Sequence, residues 1–267
     1  MKKVILTILD GVGLRDEIKG NAFIQASKPT FNYLWSSFPH ATLDASGKDV
    51  GLPEGQMGNS ETGHLNIGAG RIVYQPLELI NKKIETGEFY DNKEILNVLK
   101  IAKENNKKVH LMGLISDGGI HSHINHLKAL LKMTKDNNVD NVFMHLITDG
   151  RDTLMDSGYN YVKEIEELDI GTITTICGRY YTMDRDKNYD RLEKGYNLMV
   201  NGVGKKYNSV KEVFDDNYQN SIYDEGQIIN PFECMKLLNY FYDENTDLVL
   251  YDGEFIWKDL DGNVLII

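Results

Sequence analysis

Short β-branched apolar runs alternate along the chain with longer amphipathic stretches. Runs at 4–9, 109–115, 142–147 and 173–176 predict strands. Between them Ile95, Val98, Leu99 and Ala102 recur at i, i+3, i+4 and i+7, the spacing of one helical face. Ile124, Leu127 and Leu131 repeat in the same way. Strands alternating with helices predict an α/β chain with a mostly parallel sheet. His110 and His145 fall within or beside apolar runs and read as core histidines with satisfied ring nitrogens.

Residues 51–70 break this rhythm. They hold six glycines and little periodicity, a composition that lets backbone turn tightly or approach a ligand closely. Pro76 then precedes a long helical stretch, which places a domain transition near 72–80. From about residue 226 the pattern is irregular and rich in Tyr, Asp and Asn. It ends on an apolar run at 264–267 with no later element to cover it.

Three predicted strands run into polar clusters. These are Ser116-Asp117-Gly118-Gly119-Ile120-His121-Ser122-His123, then Thr148-Asp149-Gly150-Arg151-Asp152, then Cys177-Gly178-Arg179 through Asp184-Arg185-Asp186. Ligands of open α/β sheets lie beyond the carboxyl ends of the strands. As parallel neighbours, the three strands would bring His121, His123, Arg151, Asp152, Arg179 and Arg185 to one rim. Any one cluster alone reads as a turn or a surface ion pair. Three in succession read as an anion site, because guanidinium matches carboxylate and phosphate oxygens bidentately. A helix starting near Ser122 would add its N-terminal amides. Asp152, beside Arg151, is a candidate proton-transfer group.

Two further residues stay open at this level. Asp10 ends the first run before Gly11-Val12-Gly13 and reads either as a turn former or as a metal ligand. Ser60 reads as a helix N-cap, with Glu61 favouring the helix dipole, or as a nucleophile at a helix start; spacing favours the cap.

Composition narrows the function classes. A chain of 267 residues allows one large domain or two modest ones, and 41% hydrophobic with 26% charged residues can bury a sizeable core. The 29 basic against 40 acidic residues leave a net charge of −11, which argues against nucleic-acid and anionic-membrane partners. Cys177 and Cys234 are too few for a disulfide scaffold or a zinc cage, so a cytoplasmic location is expected. The run at 4–9 is too short for a signal peptide or a membrane span.

Several strings together resemble the cofactor-independent (2,3-bisphosphoglycerate-independent) phosphoglycerate mutases. They are Ile8-Leu9-Asp10-Gly11, Gly51-Leu52-Pro53, Gly55-Gln56-Met57-Gly58-Asn59-Ser60-Glu61 and Gly63-His64-Leu65-Asn66-Ile67-Gly68-Ala69-Gly70-Arg71. The clusters at 116–123, 149–153 and 178–186 match as well, in family order over about residues 1–215. The resemblance implies a partial alkaline-phosphatase-like metal domain at 1–75 and an inserted α/β phosphotransferase domain at 76–255. Residues 256–267 would be a strand leading back toward the metal domain. It also implies interconversion of 3-phosphoglycerate and 2-phosphoglycerate in glycolysis, with two Mn2+ ions, in a family of mostly monomeric enzymes. By the same resemblance Ser60 is the phosphoryl-accepting nucleophile and metal-linked, and Asp10 is a metal ligand. His121, Arg151, Asp152, Arg179 and Arg185 hold phosphoglycerate, with Asp152 as acid/base on the glycerate hydroxyl.

The family's later half supplies Asp and His metal ligands, whereas all seven histidines here, from His40 to His145, precede residue 146. Residues 226–254 also depart from the family pattern. The chain is therefore expected to resemble an N-terminal half that does not turn over phosphoglycerate alone and needs a C-terminal half, either as a separate partner in trans or in the full gene product. Two alternatives accompany this reading. One is a non-catalytic phosphoglycerate-binding or regulatory module. The other is a different metal-dependent phosphatase or phosphomutase of the alkaline phosphatase superfamily, which the 116–123 and 150–152 strings disfavour.

Overall fold

The computed structural model describes residues 3–226, 228–230, 247–251, 254–258 and 264–266. It divides into two units, Met1–Gln75 and Pro76–Ile267.

The first unit contains helices α1 (Ala22–Gln25), α2 (Pro29–Ser37) and α3 (Ser60–Ala69), with a 3-10 turn at Gly47–Val50. Pro29 opens α2, where its missing N–H removes no intrahelical bond. The strand predicted at 4–9 does not form: these residues have no regular structure, and Val4 and Ile5 are 90% and 89% exposed. The physical reason is pairing. A strand's N–H and C=O groups are satisfied only by a neighbouring strand, and the described residues of this unit contain none. The alkaline-phosphatase-like sheet expected here is accordingly not seen.

The second unit is mixed α/β. Its centre is three parallel strands, β1 (Val109–Ile115), β2 (Val142–Thr148) and β3 (Thr172–Gly178), with Val109 opposite Val142 and Phe143 opposite Thr172. β3 is longer than its predicted 173–176 and carries the chain through Gly178 to the site described below. Short strands complete an eight-stranded sheet: β4 (Lys205–Lys206), β5 (Ile228–Asn230), β6 (Asp247–Tyr251), β7 (Glu254–Lys258) and β8 (Val264–Ile266). The order is β4-β5-β3-β2-β1-β8-β7-β6. β8 lies parallel to β1, whereas β5 joins β3, and β7 joins both β6 and β8, in antiparallel fashion. The apolar run at 264–267, read as uncovered, thus has its first three residues paired on both sides within the sheet. Cys234 and the rest of 231–246, part of the divergent connector, lie outside the described residues.

Helices α4 (Pro76–Thr86), α5 (Lys93–Glu104), α6 (Ile124–Asp136), α7 (Gly158–Glu166), α8 (Arg179–Thr182), α9 (Tyr189–Tyr196) and α10 (Val210–Gln219) fill the connections. The predicted stripe of α5 is buried through Ile95, Leu99 and Ala102, and that of α6 through Ile124 and Leu131. They join Leu111, Met144 and Ile176 in one apolar cluster, with Val162, Ile165, Val213 and Phe214. Side chains alternate across a strand, so Leu114, Ile147 and Cys177 face the other way. There they pack with Leu198 and Met199 from a π-helical turn at Asn197–Asn201. No helix among the described residues is long and apolar enough to cross a membrane.

One polar chain crosses this second face. His110 Nδ1 lies 3.0 Å from His145 Nε2, and His145 Nδ1 lies 3.0 Å from the Thr175 hydroxyl. Both rings are buried. His145 is satisfied as expected, but His110 Nε2 has no hydrogen-bond partner among the described residues. Burial, aided by the Lys108 ammonium, lowers the His110 pKa to about 4, and burial with His110 lowers that of His145 well below the ordinary imidazole value. Both therefore sit neutral in the sheet at pH 7.

Candidate functional site

The site in the second unit is built at the carboxyl ends of β1, β2 and β3. Ser116 follows β1 and is buried, and its hydroxyl donates to Asp149 Oδ2 at 2.7 Å. Asp149 follows β2. Its Oδ1 accepts from the backbone N–H of Arg151 (3.2 Å) and of Asp152 (3.0 Å), folding the loop around its own carboxylate. Arg179 opens α8 directly after β3. Its Nη1 bridges Asp149 Oδ1 at 2.7 Å and Asp152 Oδ2 at 2.6 Å. Burial alone raises a carboxyl pKa, but the hydrogen bonds from Asp152 N–H, Ser116, Arg179 and Arg151 N–H outweigh it and hold Asp149 below its usual range.

Around this buried pair opens a cleft of about 110 Å³ lined by His121, Arg151, Arg179, Arg185, Arg191 and Glu225, among others. His121 Nε2 is 3.8 Å from Asp152 Oδ2. Arg151 pairs with Glu225 at 2.8 Å. Arg191 pairs with Asp184 at 3.4 Å while its guanidinium carbon lies 4.0 Å from the Tyr180 ring centroid. Both oxygens of Asp149 and the Oδ2 of Asp152 are taken, whereas Asp152 Oδ1 makes no hydrogen bond among the described residues. That oxygen is the one available to accept a proton from a ligand hydroxyl.

Of the residues expected at this rim, His121, Arg151, Asp152, Arg179 and Arg185 line the cleft or touch its lining. His123 does not join them. It caps α6, accepting from Asn125 N–H through Nδ1 at 3.1 Å, and burial lowers its pKa.

Two cleft residues escaped the sequence reading, Arg191 and Glu225, as did Asp224, which precedes Glu225 in the chain. Asp224 is buried in a 3-10 turn, Asp224–Gly226, whose Glu225 lines the cleft. Its carboxylate accepts from Gly158 N–H at 2.6 Å and from Tyr218 OH at 2.5 Å, and its carbonyl from the Thr148 hydroxyl at 2.5 Å. The turn needs bare backbone beneath it. A Cβ on Gly178 would collide with the Glu225 carbonyl oxygen, and one on Gly150, itself at φ +72°, would sit 2.9 Å from Glu225 N. Gly178→Ala is therefore expected to cost about 1–3 kcal/mol of stability and to displace Glu225 from Arg151. Urea unfolding checks it, and an unchanged midpoint would show that the turn moves aside freely.

The remaining candidates, Asp10 and Ser60, belong to the first unit. The helix cap predicted at Ser60 falls instead on Asn59, whose side chain accepts from Thr62 N–H at 2.9 Å. Displaced from the cap, the Ser60 hydroxyl donates to Asp10 Oδ2 at 2.7 Å and lies 3.2 Å from His64 Nδ1. His64 was missed, although its i+4 spacing from Ser60 on α3 is the signal for this contact. Among the described residues no group of three or more His, Cys, Asp or Glu is placed to hold a metal ion.

Three parallel central strands thus deliver arginines and a carboxylate to one cleft at their carboxyl ends, the edge at which open α/β sheets hold ligands. The family model described as "BPG-independent PGAM N-terminus" matches residues 80–247, and the chain belongs to that family. The solved structure of Leishmania mexicana phosphoglycerate mutase at low cobalt concentration is similar, at 27% identity and a TM-score of 0.61. That match covers 79% of this chain and 41% of the Leishmania chain, so the matched part spans less than half of that relative's length. The fold is thus that of the mutase N-terminal region.

Proposed function

We propose that the second unit is the substrate-holding domain of a phosphoglycerate mutase. The observation that carries this is the convergence of His121, Arg151, Arg179, Arg185 and Asp152 on one cleft from three consecutive strand ends. Phosphoglycerate carries a phosphate, a carboxylate and a hydroxyl. The guanidinium groups suit the two anions, and Asp152 Oδ1 suits the hydroxyl proton. In the mutase reading Ser60 gives its hydroxyl proton to the Asp10 carboxylate and its Oγ bonds to phosphorus as the bond from phosphorus to the glycerate oxygen breaks, that oxygen leaving with a proton supplied by Asp152. The glycerate, retained by the arginines, takes the phosphoryl back on its other hydroxyl oxygen as the bond from Ser60 Oγ to phosphorus breaks. That hydroxyl's proton returns to Asp152, and Ser60 recovers its own from Asp10. Retention and exclusion of water are what separate a mutase from a phosphatase.

Asp10 and Ser60 offer oxygen donors of the type manganese takes. Divalent ions require about four to six ligands, and the described residues do not assemble such a set. A two-Mn2+ centre therefore does not fit these residues alone, and a C-terminal half, in trans or in the full gene product, would supply the remaining ligands. The same observation favours a second reading, a phosphoglycerate-binding module without turnover.

An enolase-coupled assay with Mn2+, run beside a calorimetric titration with 3-phosphoglycerate, tests both. The expected result is binding without turnover by the chain alone. Robust turnover by the chain alone would overturn its incompleteness, and no binding would overturn the substrate assignment. Turnover restored by a polypeptide carrying the metal-ligating half selects the mutase over the module.

A further inference from the structure

The cleft's charges are nearly all matched internally. Arg179 is shared by Asp149 and Asp152, Arg191 is paired with Asp184, and Arg151 is paired with Glu225. Arg185 makes no ion pair among the described residues. An incoming anion must therefore either rely on Arg185 and His121 alone or displace a carboxylate.

The three pairings are unequal in what holds them. Arg179 and Asp149 are only 7% and 2% exposed, and each makes several bonds. Asp184 is fixed by the backbone N–H groups of Asp186 and Asn188 and by the Asn188 side chain. The Arg151–Glu225 pair is the exception, at 62% and 32% exposure with one contact at 2.8 Å. Exposed pairs of this kind are worth little, so this one is the pair a ligand can open. The Glu225 backbone is meanwhile held fast. The preceding Asp224 is bonded by Gly158, Tyr218 and Thr148 and donates its own N–H to the Met155 carbonyl, and Gly226 N–H donates to Tyr223.

We propose that Glu225 is a resident counter-anion. It occupies Arg151 in the ligand-free cleft, and a phosphorylated ligand must displace its carboxylate to use that arginine. The anchored turn keeps Glu225 beside the cleft while its side chain swings clear. The consequence is selection: a weak monocarboxylate gains nothing by exchanging one carboxylate for another, whereas a phosphate dianion does. The identity of the ligand as phosphoglycerate rests on the function proposed above; the competition at Arg151 does not.

Calorimetric titration of the full chain at low salt tests this with two probes, 3-phosphoglycerate and inorganic phosphate. The proteins are the wild type, Glu225→Gln, Arg151→Ala and the double variant. Glu225→Gln is expected to bind both anions about three- to five-fold more tightly, the scale of one exposed ion pair. On the Arg151→Ala background the same substitution is expected to change nothing. Unchanged or weaker binding by Glu225→Gln overturns the proposal, as does an equal gain without Arg151, which would be a general loss of negative charge. If 3-phosphoglycerate binds no better than phosphate, the phosphoglycerate reading fails while the Glu225 result still stands on its own. If neither anion binds wild type or Glu225→Gln, both fall.

Discussion

Arg179→Ala is expected to destabilise the second unit by about 3–5 kcal/mol and to remove anion binding by the cleft. Arg179 is 7% exposed, and its Nη1 lies within 2.7 Å of both the Asp149 and Asp152 carboxylates. Deleting the guanidinium leaves Asp149 charged, 2% exposed and without its cation. The Ser116 hydroxyl and two backbone N–H groups remain as donors, but they supply no compensating charge. Asp152, freed from Arg179, would no longer be held at its present angle to the cleft. Equilibrium unfolding in urea reads the stability loss. A loss below about 1 kcal/mol, the range of solvent-screened surface pairs, would show that water already substitutes for this pair.

Acidification is expected to weaken the fold between pH 6.5 and about 4, with the buried histidines as the cause. The His110 pKa falls from 6.5 to about 4 on folding, and that of His145 also falls well below 6.5. The unfolded chain thus binds protons that the folded sheet refuses. The stability these neutral rings represent is complete above pH 6.5 and is lost as pH falls toward the folded values. For His110 the shift corresponds to about 3 kcal/mol.

Asp224 works in the opposite sense. Burial, against the hydrogen bonds from Tyr218 and Gly158, raises its pKa from 3.8 to about 6. It therefore favours folding at low pH and loses that contribution as pH rises through about 6, again on a scale of about 3 kcal/mol. Four histidines held below 6.5 by burial, His110, His123, His126 and His145, against one aspartate leave a net loss on acidification. Urea midpoints from pH 7 to pH 4.5 are expected to fall, and His110→Asn, which cannot titrate there, is expected to flatten the fall. Midpoints that stay level or rise in wild type would remove the histidines as the cause.

The sheet centre and the strand-end cluster were legible because both depend on local pattern. Apolar runs at 109–115 and 142–147, and the helical stripe of Leu99 and Leu131, encode burial directly. Arg151, Asp152 and Arg179 follow strand ends by fixed short distances, so a parallel sheet places them with little freedom. The run at 4–9 shows the limit of the same logic. Its apolar pattern states a need for burial, while strand formation requires a partner that the described part of its unit does not contain.

Other features depend on where a distant segment returns. Asp224-Glu225-Gly226 reads in sequence as an ordinary turn, and bonds from the distant Thr148 hydroxyl and Gly158 N–H to Asp224 bring its Glu225 into the cleft lining. Asn59 and Ser60 are adjacent residues of equal capping ability, so spacing could not divide the cap from the free hydroxyl. His121 and His123 differ by two positions, yet one lines the cleft and the other caps α6. The helix start at Ile124 makes that division.

Side-chain NMR of the full chain during titration with 3-phosphoglycerate examines the cleft most directly. The account predicts that the His121 imidazole and the Arg151, Arg179 and Arg185 guanidinium signals move together along one binding curve, while His110 and His145 stay still. Shifts scattered away from these four residues, or no shift at saturating ligand, would contradict it.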